Sequence, residues 1–395
     1  MIYLDNGATS FPKPKGVLEE MENCMRHYCG NPGRSGHKMS MVMGEKIYET
    51  RKSVANLLGI KNPSQIIFTK NTTESLNLAL WGVLQEGDHV ITTAMEHNSV
   101  LRPLHAMKPI GISHTIVPAN CYGEVSTKDI IAAVKPETRM IVMTGASNVT
   151  GTLMPVKEVC HWANAKGILT LIDGAQWVGS IPLNVEDMAM TMLAFPGHKG
   201  LLGPQGTGAL YVSPSRYNAF ESCDLNHCAG ELLQPLIFGG TGTASKSVDQ
   251  PRDLPEDYEA GTVNGPGLVG LGRSVRIVER IGAETIAYYE KELCRELETH
   301  LRNMDFVTIY GPSPEKKVGI TLFTIQGISS EEVTERLSRE YGIAVRGGYH
   351  CAPLAHQAIG TFDGGAVRLS IGPFNTRKEI RKAAEAVYRI GKTCK

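Results

Sequence analysis

From about residue 45 to 215 the chain alternates short apolar runs with helical patterns, and few architectures can accommodate that rhythm. Candidate strands are Gln65–Thr69, His89–Thr93, Arg139–Thr144, Ile168–Ile172, Thr191–Phe195 and Gly208–Val212. Several are almost wholly apolar and rich in β-branched residues, as expected of strands covered on both faces. Between them lie stretches such as Gly44–Leu58, where Ile47, Val54, Leu57 and Leu58 share one helical face. Repeated βα units predict an α/β fold with a mostly parallel sheet and helices on both sides.

The rhythm breaks at 221–266, a stretch rich in Gly, Thr, Ser, Pro and Asp that reads as extended loops. A long helical pattern from Leu268 to Asn303 follows. Then come strand patterns at Gly319–Ile325, Gly342–Val345 and Ala366–Ser370 and a closing helix from Arg377. The division expected is a large α/β domain over 16–257, with 1–15 and 258–395 forming a smaller α+β domain. A length of 395 residues suits two domains. Forty Lys+Arg balance forty Asp+Glu, so no nucleic-acid or anionic-membrane partner is expected. No segment approaches the roughly 18 apolar residues of a membrane span, and the N-terminus lacks the pattern of a signal peptide. The nine cysteines are odd in number and scattered, which argues against a disulfide framework and for a reducing cytoplasm.

Polar clusters close these strands. Lys199 and His198 sit in Phe195-Pro196-Gly197-His198-Lys199-Gly200, and Asp173 and Gln176 in Asp173-Gly174-Ala175-Gln176. Thr72 and Thr73 follow Asn71 at a helix start, with Glu74 completing something close to a capping box; such free N–H groups and hydroxyls suit a phosphate. His97 and Asn148 occupy equivalent places after the strands His89–Thr93 and Arg139–Thr144. Each residue alone has a bland reading as a turn, cap or surface group. Five such clusters beyond strand ends converge on one crevice, where α/β sheets bind ligands. A lysine, an acid and a phosphate corner together are what pyridoxal phosphate (PLP) requires, the acid keeping the ring nitrogen protonated. In the C-terminal part, Arg346 and His350 flank Cys351, where cations enrich the thiolate. Arg368 stands inside an apolar strand, either in a structural ion pair or as a clamp for a carboxylate. Cys24, His27 and Cys29, and Cys223, His227 and Cys228, have C-x4-C spacing but read better as packing residues than as metal ligands.

As a set these motifs resemble the class V aminotransferase-fold PLP enzymes, specifically the cysteine desulfurase and selenocysteine lyase family. The likeness spans nearly the whole chain, from Tyr3-Leu4-Asp5-Asn6-Gly7-Ala8-Thr9 and Asn31–His37 to Glu259-Ala260-Gly261-Thr262, the Cys351 loop and Arg368-Leu369-Ser370. It implies PLP-dependent transferase fold type I, with a seven-stranded type of sheet. It makes Lys199 the Schiff-base lysine, Asp173 the partner of the pyridinium, Gln176 that of the ring hydroxyl and His97 a stacking group. Thr72, Thr73 and His198 hold the phosphate, and Thr262 reaches the phosphate of a second subunit, so a homodimer with shared active sites is implied. Asn148, Arg346 and Arg368 bind substrate, and Cys351 takes sulfur from cysteine as a persulfide, releasing alanine. A sulfur or selenium acceptor protein would follow. Selenocysteine lyase, or another lyase or transaminase on a small amino acid, is the alternative. Pro196 replaces a hydroxyl residue usual in relatives, and Tyr349 a histidine; Gly239–Glu256 is also unusual.

Overall fold

The structure is a computed structural model that describes residues 1–33, 36–213, 233–243, 245–252 and 254–393. The chain opens with strand β1 (Ile2–Tyr3) and helices α1 (Lys15–His27) and α2 (Lys38–Leu57). There follow β2 (Ile66–Thr69), α3 (Thr72–Val83), β3 (His89–Thr93), α4 (Asn98–Ala106), β4 (Ser113–Val117) and α5 (Thr127–Ala132). Next come β5 (Thr138–Thr144), α6 (Val156–Ala165), β6 (Leu169–Asp173), β7 (Met192–Pro196) and β8 (Gly208–Val212). After a region without helix or strand among its described residues, α7 (Gly265–Ile281) and α8 (Ala283–Arg302) lead to β9 (Val307–Tyr310) and β10 (Ile320–Ile325). The chain closes with α9 (Ser330–Tyr341), β11 (Ile343–Ala344), α10 (Pro353–Ala358), β12 (Val367–Ser370) and α11 (Arg377–Lys392).

Seven strands form the main sheet in the order β2-β8-β7-β6-β5-β3-β4. All neighbours are parallel except those of β8, which is antiparallel to both β7 and β2. Two reversals cancel, so β2 runs the same way as β7 and its carboxyl end lies with the others. Alternation along each strand supplies two cores. Ile66, Ile91, Ile141, Ile172, Leu193 and Tyr211 face one layer, with residues of α2 and α7. Ile67, Val90, Val142, Leu171, Ala194 and Leu210 face the other, with Leu76, Leu80, Val100 and Leu104 of α3 and α4. The sheet is thus covered twice, as its near-continuous apolar strands require.

A separate three-stranded antiparallel sheet, β12-β10-β9, packs with α8, α9 and α11 around Leu293, Leu297, Phe323, Leu337 and Val387. The N-terminal strand β1 pairs in parallel with β11, and Asp5 bridges to Ser370, so the first residues are stitched to the last part of the chain.

Three expectations are revised. The helix expected from Leu268 to Asn303 is two helices, because Gly282 breaks it at φ 86°. Strand β4 escapes sequence reading because only Val117 of its five residues is buried, leaving no apolar run. The strand pattern Gly342–Val345 contributes only two residues, as Gly342 caps α9 in the left-handed region.

Candidate active site

The carboxyl ends of β2, β3, β5, β6 and β7 meet in a cleft of about 240 Å³ lined by Thr72, Thr73, His97, Asn148, Asp173, Gln176, His198, Lys199, Arg346 and Arg368. Every site residue named from sequence lines this cleft, except Cys351 and Thr262. Thr262 is exposed elsewhere, its hydroxyl accepting from Asn31 Nδ2 at 3.3 Å. Cys223, His227, Cys228 and part of Asn31–His37 lie outside the described residues; Cys24 packs in the main core, whereas His27 and Cys29 are exposed and do not pack.

Lys199 follows β7 through a tight loop. A Cβ on Gly197 would fall 2.2 Å from Thr207 Oγ1, and one on Gly200 2.4 Å from the Val178 carbonyl, so glycine is required at both approaches. The N-terminal segment clamps the same loop: the His198 carbonyl accepts from Thr9 Oγ1, Ser10 N, Ser10 Oγ and Lys13 Nζ at 2.9–3.1 Å. Burial lowers the Lys199 amine to about 8, with Asp173 pulling the other way. A substantial neutral fraction near pH 8 suits a lysine that forms an imine and moves protons. Asp173 ends β6 and is buried; burial raises its pKa, while the Ala175 N–H and Lys199 oppose the rise.

Helix α3 builds an anion corner. Asn71 Oδ1 caps the helix by accepting from Glu74 N at 2.9 Å, and Glu74 Oε2 reaches back to Lys70 N, one residue before the position of a true capping box. Asn71, Thr72 and Thr73 at the start of the helix line the cleft, which places a helix N-terminus at its wall. Thr72 Oγ1 and His198 Nδ1 are buried there without any partner. Buried polar atoms are rarely left orphaned, so this pair signals a missing polar group.

His97 is the cap of α4. Ser99 N donates to its Nδ1 at 3.0 Å, which places the proton of the neutral ring on Nε2. Burial, then Lys199 and three arginines, hold the ring down to about 4, so it stays neutral. Ser99 Oγ links His97 Nδ1 to Thr73 Oγ1 through two 2.8 Å bonds, tying the anion corner to the ring. Sequence reading missed Ser99, although a His-x-Ser pattern at a helix start is a capping signal. It also missed Glu96, a buried acid whose Oε1 accepts from Thr93 Oγ1 and Thr144 N. Burial pushes Glu96 up to about 8, which leaves it protonated at neutral pH.

Arg368 is an ion pair and a cleft residue at once. Its Nη2 donates to Asp5 Oδ1 and its Nη1 to the Asn148 carbonyl, both at 2.8 Å, while Nε is buried and unpartnered. Asp5, from the N-terminal strand region, is a third residue the sequence reading left without a role. The amides of Gln176 and Asn148 are already engaged: Gln176 Nε2 donates to the Gly7 carbonyl at 2.8 Å and Asn148 Nδ2 to the His350 carbonyl at 2.6 Å.

Cys351 stands exposed at the rim. Its Sγ lies 3.4 Å from Nη2 of Arg346, and its carbonyl accepts from Asn98 N at the start of α4. Cys351 and His350 occupy the left-handed region at φ 58° and 52°, a conformation costing roughly 1–3 kcal/mol per residue that surrounding contacts must hold.

An α/β scaffold with a lysine at the carboxyl ends of its strands, and a thiol loop beside it, defines a class of cofactor-binding enzymes. The chain belongs to the aminotransferase class-V family, which it matches over residues 2–382. It is 34% identical over 393 residues to a probable cysteine desulfurase of Methanothermobacter thermautotrophicus, spanning 98% of this chain and 94% of that protein. It superposes on the apo structure of a cysteine desulfurase from Thermococcus onnurineus NA1 with a TM-score of 0.90 and 30% identity, covering 99% and 95% of the two chains. A cysteine desulfurase from Escherichia coli aligns at a TM-score of 0.87 with 26% identity, over 100% and 95%.

Proposed function

We propose that the chain is a PLP-dependent cysteine desulfurase that converts L-cysteine to L-alanine and passes the sulfur to Cys351. The observation that carries this reading is the pairing of a thiol loop with the lysine cleft, bridged by Arg346, which lines the cleft and touches the Cys351 sulfur. The cleft fits PLP on its own evidence: the orphaned Thr72 Oγ1 and His198 Nδ1 and the N-terminus of α3 suit a phosphate, and Asp173 suits a ring nitrogen. Pro196 offers no hydroxyl, so a bound phosphate would rely on these groups for its hydrogen bonds. When bound, PLP supplies an electron sink for charge developing on the substrate carbons.

Lys199 would hold the cofactor and carry protons to and from the substrate carbons through its Nζ. Neutral His97 would lie against the ring with Nε2–H as its free donor. Arg368 would meet the substrate carboxylate through its unpartnered Nε–H, with Asp5 fixing the plane of the guanidinium. The Cys351 thiolate attacks the substrate sulfur, the carbon–sulfur bond breaks, and a Cys351 persulfide and alanine result. Thr262, displaced from this cleft, is assigned to the site of a second subunit in a homodimer. The pairing of β1 with β11 and the bridge of Asp5 to Ser370 support grouping 1–15 with 258–395, while Thr9, Ser10 and Lys13 also tie this segment to the His198 carbonyl of 16–257.

The test is Cys351→Ala in PLP-loaded protein. It should keep the visible Schiff-base absorbance and lose the persulfide seen by mass spectrometry after cysteine is added. Undiminished sulfur release would remove Cys351 from the mechanism.

A further inference from the structure

Beneath the Cys351 loop runs a closed chain of hydrogen bonds that the chemistry above does not use. Thr361 Oγ1 lies 2.7 Å from His356 Nδ1, His356 Nε2 lies 3.2 Å from His350 Nδ1, and His350 Nε2 lies 3.1 Å from the Arg346 carbonyl. A carbonyl only accepts, so His350 Nε2 carries the proton and Nδ1 of that neutral ring accepts. His356 Nε2 then donates and His356 Nδ1 accepts from the Thr361 hydroxyl. The direction of every bond follows from one end.

Both rings are buried, at 1% and 0% exposure, and stack 5.4 Å apart at 12°. Burial drives His356 down to about 4 and, with Arg368, drives His350 to about 2, so both remain neutral. The charged and titratable groups bearing on His350 are Arg368 of β12, Arg346 of its own loop and His356 of α10; Glu331 of α9 faces the loop at Gly348. Tyr349 closes the outer side, edge-on to His356 at 5.6 Å and beside Phe362 at 5.8 Å. An aromatic ring there completes the cover over the pair, which gives the departure at Tyr349 a physical purpose.

We propose that His356 and Thr361, acting through His350, are positioning residues that hold the Arg346 backbone, and with it the guanidinium, against the Cys351 sulfur. The relay ends on the carbonyl of Arg346, whose side chain makes the 3.4 Å contact with Sγ. It also anchors His350, the first of two adjacent left-handed residues that set the backbone at Cys351. Without it, the backbone of the strained pair keeps the Asn148 amide and the Asn98 N–H as holds, and the Cys351 sulfur its contact with Arg346. The proposal takes its purpose from the desulfurase reading, but its geometry is independent of turnover.

The experiment is timed alkylation of PLP-loaded protein by iodoacetamide at pH 7, read cysteine by cysteine by peptide mass spectrometry. Exposed Cys29 and Cys121 serve as internal references, and buried Cys24 and Cys160 report unfolding. His356→Leu should slow Cys351 relative to Cys29 and Cys121 by about tenfold, the size expected for one buried hydrogen bond left unmade. Thr361→Val should slow it less, and His356→Gln, whose amide can still donate to His350, should restore most of the rate. A wild-type ratio in His356→Leu, or equal loss in His356→Gln, overturns the proposal. If Cys24 and Cys160 become reactive in His356→Leu, Thr361→Val decides: a slowed Cys351 supports the relay and an unchanged one overturns it. Wild-type protein that makes no persulfide while these ratios hold would sink the desulfurase reading alone.

Discussion

At the scale of single residues, environment rather than identity gives the cleft its chemistry. Lys199 is partly deprotonated because it is buried, His97 is neutral for the same reason, and Glu96 keeps its proton. Replacing Lys199 with alanine should abolish the visible absorbance of the PLP-loaded protein and slow alanine formation at least ~10²-fold, the scale of a lost proton-transfer group; a spectrum and rates like wild type would exclude it as the cofactor lysine. Lys199, Asp173, His97 and Thr72–Thr73 were legible in sequence because each interrupts or ends an apolar run, where a polar residue needs a reason. Asp5, Glu96 and Ser99 were not. Their importance depends on Arg368, Thr144 and Thr73, partners that are distant in sequence or separated by a turn.

At the scale of elements, strand ends deliver the site and loops lock it. The alternating pattern revealed six of the seven main strands, and β4 stayed hidden because it lies at the sheet edge with little buried surface. The reversal of β8 has no sequence signature, since a strand covered on both faces reads alike in either direction. Glu259, quoted from a motif that carries no obvious chemistry, is a lock of this kind. It takes a bidentate pair from Arg51 of α2 at 2.7 and 2.8 Å and also accepts from Phe68 N of β2, while the Arg51 guanidinium sits 4.4 Å over the Phe68 ring. Glu259→Ala strands a buried arginine. Urea denaturation should show a loss of about 3–5 kcal/mol, and a change below 1 kcal/mol would contradict the role given to this pair.

At the scale of the whole molecule, buried carboxyls that are costly to ionise couple the fold to pH. Glu290 of α8 faces the small cavity bordered by Asn6, Gln176, Lys199 and Ser370, and burial alone raises it to about 8. A carboxyl raised in the folded state binds its proton more tightly there than in the unfolded chain. Stability therefore falls as pH rises from about 4.5 toward 8, and Glu96 adds to the fall. Glu290→Gln should flatten this profile, reducing the loss between pH 5 and 7.5 by on the order of 2 kcal/mol in denaturant titrations. An unaltered slope would mean that Glu290 ionises freely in the fold. The measurement that bears most directly on the account is the product formed from L-cysteine by PLP-loaded protein. Alanine, formed together with persulfide on Cys351, is the predicted result; a keto acid in its place, or no product from a protein with the Schiff-base absorbance, would contradict it.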